Sequence, residues 1–228
     1  NSDTVLITVH ALPLINAGID EVICINDSVQ LNASGAQDYV WLIFTDLSDS
    51  LVSNPWSSSQ TNIEYIVQGT DNNGCVNVDS MNLIVNSLPI IDAGADFEMC
   101  VNDSVYLLAT GAVSYLWTPN TSLINDNTDS PTAFPSDTAQ YIVQGTDVNG
   151  CVSFDSLIAI VNPLPAISAG ADDVICFGDT AQLSAAGTGL FVWTPNDSIS
   201  NSNIINPMVW PSVSTEYITQ LTDSNSCI

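Results

Sequence analysis

Short apolar or alternating runs, broken by Gly, Asn, Asp and Pro at roughly the 8 to 12-residue spacing of a β-sandwich, fill the chain, and apolar positions nowhere recur at helical spacing. The pattern predicts strands over 21–25, 28–33, 39–44, 63–70 and 76–85. Between the last two of these stands Asn73-Gly74, a pair suited to a tight hairpin turn that needs positive φ. Asn149-Gly150 occupies the same place further on, and Asn225-Ser226 stands there a third time. The run Leu157-Ile158-Ala159-Ile160-Val161 is apolar on both faces, and Val5-Leu6-Ile7-Thr8-Val9 nearly so. One face of such a strand fills a sandwich; the other is left for a neighbouring domain or chain, or for solvent.

The recurrence of the turn reflects an internal repeat. Cysteines fall at 24, 75, 100, 151, 176 and 227, in alternating gaps of 51 and 25, which sets a period of 76 residues. Trp41, Trp117 and Trp193 keep that step, as do Tyr65, Tyr141 and Tyr217, and Gly35, Gly111 and Gly187. No insertion or deletion breaks the register. Residues 1–12 align with 77–88 and are expected to be the last strand of a preceding repeat; 13–88 and 89–164 are full repeats, and 165–228 is a third, truncated one. The chain opens on NSDTVLITVHALP and stops on SNSCI, and is expected to be a segment of a longer protein.

Composition narrows the classes of function. The 228 residues include 25 Asp and Glu, one His and no Lys or Arg, a formal charge of -25. A chain without cations cannot displace counterions from a phosphate backbone or dock on anionic lipid, so nucleic-acid and membrane-surface partners are excluded. No apolar stretch has the length of a membrane span. With 46% hydrophobic residues the chain has enough apolar material for packed cores. Catalytic lysines and arginine clamps are absent by composition, and the periodic aspartates recur in every repeat, whereas an active site is usually built once; the chain is not expected to be an enzyme. His10 reads as a strand or linker residue, in step with Asn86 and Asn162.

An even number of widely spaced cysteines points to disulfides and an oxidising, extracytoplasmic compartment. The period allows two regular pairings, across 25 and across 51 residues; the second satisfies all six and is the expectation: Cys24 with Cys75, Cys100 with Cys151, Cys176 with Cys227, one disulfide per repeat. The scheme has a visible weakness, because a Cys24 at the far end of its strand lies out of reach of a cysteine at the hairpin. It therefore requires the last strand to start late, with Cys75, Cys151 and Cys227 partly in the turn. A Trp on a middle strand between the two cysteines of a repeat suggests an immunoglobulin-like core.

These residues carry a resemblance. The string Leu88-Pro89, Ala93-Gly94, Asp96, Cys100, Asp103-Ser104, Trp117-Thr118-Pro119, Tyr141 and Gly150-Cys151 is similar to the PKD-like, immunoglobulin-like repeats of giant cell-surface adhesins of Bacteroidota, including gliding-motility adhesins exported by type IX secretion. Repeat 1 departs from it, with Trp41-Leu42-Ile43 in place of Trp-Thr-Pro. The resemblance spans the whole chain and implies an all-β fold of tandem sandwiches, an extracellular cell-surface location, and O-glycosylation at Asp-(Ser/Thr)-apolar triplets. The hydroxyl residues so marked are Thr4, Ser28, Ser50, Ser80, Ser104, Thr138, Ser156, Thr180 and Ser198, although the same triplet also serves as an ordinary strand entrance.

Calcium takes oxygen ligands in flexible geometry, and three sets of side chains are candidates for it at the junctions between repeats: Asp20, Asp71 and Asn73; Asp96, Asp147 and Asn149; Asp172, Asp223 and Asn225. Asp and Asn are equally the commonest turn residues, and that reading needs no metal. The function expected is that of a stalk segment in a secreted adhesin or filament, partnered by neighbouring repeats and by identical chains. The competing reading is a module that binds surface glycans or proteins through loops at one end of each repeat. Against a repeated aromatic platform, Trp56 and Trp210 fall out of register with each other, and Phe134 is the residue in step with Trp210.

Overall fold

The computed structural model describes residues 1–228 and contains only strands, turns and loops. Two compact units are present: residues 1–90, 111–113 and 145–153 form one, and residues 91–110, 114–144 and 154–228 the other.

In the first unit the strands are β1 (Glu21–Cys24), β2 (Val29–Gln30), β3 (Asp38–Trp41), β4 (Trp56–Ser57), β5 (Ile63–Thr70) and β6 (Val76–Asn86). One sheet runs in the order β1-β6-β5-β3, and β2 pairs with β4 in another. β5 and β6 form an antiparallel hairpin from Ile63↔Leu83 to Thr70↔Val76, whereas β1 runs parallel to β6, with Cys24 beside Asn86. A first strand that pairs in parallel with the last, next to a hairpin and a middle strand, is the strand order of an immunoglobulin-like sandwich. The hairpin turns where Asn73-Gly74 was expected to turn it, Gly74 having φ 79°. The observed strands match the expected ones most closely over 63–70 and 76–86; the two-residue β4 was not foreseen.

The second unit repeats the plan. β7 (Phe97–Cys100), β8 (Val105–Tyr106), β9 (Ser114–Thr118), β10 (Leu123–Ile124), β11 (Thr132–Ala133), β12 (Ala139–Thr146) and β13 (Val152–Asn162) give the sheet order β7-β13-β12-β9 and a second sheet β10-β11-β8. β7, β8, β9, β12 and β13 each begin 76 residues after β1, β2, β3, β5 and β6. The same unit holds β14 (Ala181–Gln182), β15 (Leu190–Thr194), β16 (Met208–Val209) and β17 (Ile218–Thr222), paired as β14-β16 and β15-β17.

Alternation decides the core. In β5, Tyr65 and Val67 point inward and are buried, as are Met81 and Leu83 of β6, and they meet Trp41, Leu31 and Ala17 in one cluster. Trp41 packs edge-on against Tyr65, with ring centroids 6.2 Å apart, and its indole N–H donates to Val52 O at 3.0 Å. Trp117 and Trp193 make the same bond to Thr128 O and Ile204 O. The Tyr65 hydroxyl shares a hydrogen bond with Ser57 Oγ at 2.8 Å and donates to Thr45 O, and burial pushes its pKa up. No cysteine pair bridges this core, and Trp41 packs on a tyrosine rather than on a disulfide. Gly69 fits here because a Cβ would collide with the side chains of Ile15 and Ala36.

Removing a buried ring of this size leaves a cavity that the surrounding sheet cannot collapse. Trp117→Ala should therefore destabilise the chain by about 3–5 kcal/mol in denaturant titration. Tyr106→Ala, at a side chain that is 77% exposed, should change stability by less than about 0.5 kcal/mol.

Candidate functional site

The residues most distinctive of the sequence, its cysteines, form a pattern different from the expected one. Cys24 is bonded to Cys151 and Cys100 to Cys227, each across 127 residues, while Cys75 and Cys176 carry free thiols. Cys24–Cys151 lies within the first compact unit and Cys100–Cys227 within the second. The intra-repeat pairs Cys24–Cys75, Cys100–Cys151 and Cys176–Cys227 are thereby corrected. The reason is strand geometry: Cys24 sits beside Asn86 at the end of β6, whereas Cys75 precedes Val76 at its beginning. Ten residues of strand separate the two levels, roughly 33 Å at 3.3 Å per residue. A disulfide requires Cα atoms about 4.4–6.8 Å apart, and the observed pairs have 5.6 and 5.5 Å.

A separation of 127 is one period plus 51, so this pairing keeps the repeat register as well as the expected one did. In terms of repeats, the first-strand cysteine of one is joined to the turn cysteine of the next. The two bridges interleave along the chain, 24 and 100 both preceding 151 and 227. In the chain-entropy model a loop of this length is worth about 5 kcal/mol if closed without strain.

The turn that presents each second cysteine is built by an aspartate. Asp147 Oδ1 accepts from the backbone N–H of Asn149 and of Cys151, both at 2.8 Å. Asp71 does the same for Asn73 and Cys75, and Asp223 for Asn225 and Cys227. Each carboxylate thus fixes the backbone of the cysteine four residues on, and Cys151 and Cys227 are buried. The last strand starts at Val76 and at Val152, immediately after these cysteines, as expected.

The candidate calcium ligands are therefore not brought together. Asp20 Oδ1 accepts from Asn82 N, about six residues further along β6 than the turn held by Asp71, a distance of roughly 20 Å. Asp96 is likewise committed to Ile158 N, away from Asp147 and Asn149. Asp172 is exposed and outside any strand. No three His, Cys, Asp or Glu side chains cluster in a way that could hold a metal ion. The carboxylate that does face the entrance of the repeat is one that sequence reasoning missed: Asp79 Oδ2 accepts from Ala17 N, and Asp155 Oδ2 from Ala93 N, both at 2.8 Å. Its signal was its recurrence at 3, 79 and 155.

Among the hydroxyl residues of the Asp-(Ser/Thr) triplets, Thr4, Ser28, Ser80, Ser104, Thr138 and Thr180 are exposed, and Ser50, Ser156 and Ser198 are half-buried. Thr138 Oγ1 accepts from Val161 N, and Ser156 Oγ accepts from the Gln140 amide. The in-register tryptophans are core, while Trp56, Phe134 and Trp210 are about half exposed. His10 is exposed in a segment without strand structure. No helix is long and apolar enough to cross a membrane.

No family model matches this sequence. No curated protein matches it either. Solved structures that are similar include an I-band fragment of titin (11% identity, 91% of this chain and 90% of that one, TM-score 0.42). The N-terminal eight immunoglobulin domains of Down Syndrome Cell Adhesion Molecule are similar at 17% identity over 92% of this chain and 41% of that one, with TM-score 0.40. Fibronectin(III)-like modules of Clostridium thermocellum CbhA are similar at 9% identity over 66% of this chain and 95% of that one, with TM-score 0.34. The all-β, immunoglobulin-like fold is read from the strand order itself.

Titration of Asp71 offers a test of its role. Asp71 is held below its ordinary value chiefly by the Cys75 N–H, with the Asn73 N–H and side-chain amide as lesser causes. A depressed folded value means that the turn is fully stabilised above the unfolded pKa of about 4 and loosens as pH falls through the folded one. Amide exchange at Cys75 should accelerate in that acid range, and Asp71→Ala should bring the same acceleration at neutral pH; exchange insensitive to both would remove the carboxylate from the account.

Proposed function

We propose that this chain is a structural stalk segment of a large secreted cell-surface adhesin or filament, of the kind its sequence resembles in Bacteroidota. The observation that carries the reading is the interleaved pairing of Cys24 with Cys151 and Cys100 with Cys227. Tension applied to the two ends of the chain reaches Cys24, crosses to Cys151, runs back to Cys100 and crosses again to Cys227. The shortest covalent path, which carries the load at full extension, then holds the 23 links before Cys24, the 51 between Cys100 and Cys151 and the one after Cys227, instead of 227. A tether wired in this way keeps its length when a sandwich unfolds, which suits attachment under drag.

Composition supports the same role. Disulfides persist in oxidising, extracytoplasmic surroundings. A chain without Lys or Arg offers no site to trypsin-like proteases. Its charge of -25 keeps parallel chains apart at low ionic strength, a repulsion that salt shortens to within about 8 Å at physiological strength.

Force-extension measurement on a single chain held at its termini tests the proposal. Oxidised, the fully stretched chain should reach about 270 Å, and after reduction about 800 Å, at 3.3–3.6 Å per residue. Equal lengths in the two states would refute a load-limiting role for the bridges.

A further inference from the structure

Apolar side chains line the outer as well as the inner face of the four-stranded sheet in each full repeat. In repeat 2 the inward positions, such as Tyr141 and Leu157, are buried. The positions that alternate with them hold Leu116 of β9, Ile142 of β12 and Phe154, Ile158 and Ile160 of β13, each 39–61% exposed. A sheet that shows one face to water ordinarily carries polar residues there. In repeat 1 the same places hold Val40, Ile66, Val78 and Ile84, with Asn82 the one exception. Gln68, level with both Val40 and Val78, continues the face without charge, and Gln144 is in step with it.

Charge avoids these faces. Residues 13–164 contain 18 Asp and Glu. Three of them stand at outward positions of the two sheets: Asp38 opposite Thr70, Glu64 opposite Asn82 and Glu98 beside Ile160. The others lie in turns and loops or at inward strand positions, where Asp79 and Asp155 accept from backbone N–H groups.

We propose that a second copy of this chain docks on the outer faces of these sheets, sheet against sheet. Charge and period select that occupant. A partner that recognises this protein electrostatically carries Lys or Arg and is drawn to the carboxylates elsewhere on the surface. A face nearly free of them is where an equally acidic chain approaches with least repulsion. The face also recurs at the 76-residue interval, and Val192 and Ile218 hold the places of Leu116 and Ile142 in the third repeat. A copy of the same chain offers the matching face at the same interval, which an unrelated partner has no reason to do.

Area sets how many repeats must engage. Four strands at about 4.8 Å and six residues at about 3.3 Å give a face of roughly 19 by 20 Å, on the order of 400 Å². A stable interface takes about 800 Å² from each partner. One repeat falls short of that and two reach it, so affinity between copies rises steeply with the number of repeats engaged. Sheets packed face to face lie about 10 Å apart, close enough for the Ile, Leu and Phe side chains of the two copies to interdigitate.

The inference deepens the stalk reading and rests on it, as the contact that would hold several chains in one filament, but it is tested on the free chain. Cys75→Ser and Cys176→Ser are introduced first, so that no thiol links copies. Sedimentation over a range of concentrations should show reversible self-association, at least tenfold tighter in about 1 M than in about 0.15 M NaCl, where repulsion reaches about 3 Å and about 8 Å. Phe154→Thr with Ile160→Thr keeps the strand propensity of β13 and should weaken association at least tenfold while the melting temperature stays within a few degrees. Glu98→Gln removes the carboxylate from the repeat 2 face, retains an acceptor for the Asn162 amide, and should tighten association. Tyr106→Ala, on the opposite sheet, should leave it unchanged. A chain that stays monomeric in both salts would reserve the face for a foreign protein and overturn the inference. So would an association that Phe154→Thr with Ile160→Thr leaves unchanged, and neither result touches the force-extension test of the single chain.

Discussion

Everything in this structure hangs on the position of the first-strand cysteine. Because β1 runs parallel to β6, Cys24 is carried to the end of the sandwich opposite its own hairpin. A bond to the cysteine of that hairpin is geometrically barred, and the cysteine within reach is the one on the hairpin of the following repeat. The parallel pairing of two strands thus turns a framework for closing single domains into one that joins successive ones. The interleaving follows without further design, since each repeat offers one cysteine forward and one backward.

The acidic side chains belong to the same plan. With no Lys or Arg to pair with, the carboxylates that recur every 76 residues accept from backbone N–H groups. Asp147 holds the turn that presents Cys151, Asp79 receives the chain at Ala17, and Asp20 closes onto β6 through Asn82 N. A charged acceptor makes a stronger hydrogen bond than a neutral one, and at the surface the charge remains solvated. Aspartate in this protein is a backbone-fixing residue first.

Much of the fold was legible in the sequence because local signals agreed. Apolar runs over 63–70 and 76–85, with Asn-Gly between, marked the hairpin, and the periodic Trp and Tyr marked the core. β4 was not legible, because Trp56–Ser57 is a strand only by virtue of its pairing with Val29–Gln30, a contact that no local pattern records. The disulfides were misread for a related reason: a period makes separations of 51 and 127 equivalent, and only the direction of β1 against β6 distinguishes them. The candidate calcium sets failed because Asp20 is drawn along β6, a matter of register rather than of residue type.

The central claim is the connectivity between repeats, and unreduced peptide mapping measures it directly. Digestion with a protease that cuts at Asp or Glu, which this sequence supplies in place of Lys and Arg, should release one linked pair containing Cys24 and Cys151 and another containing Cys100 and Cys227. A linked pair containing Cys24 and Cys75, or Cys100 and Cys151, would contradict the account.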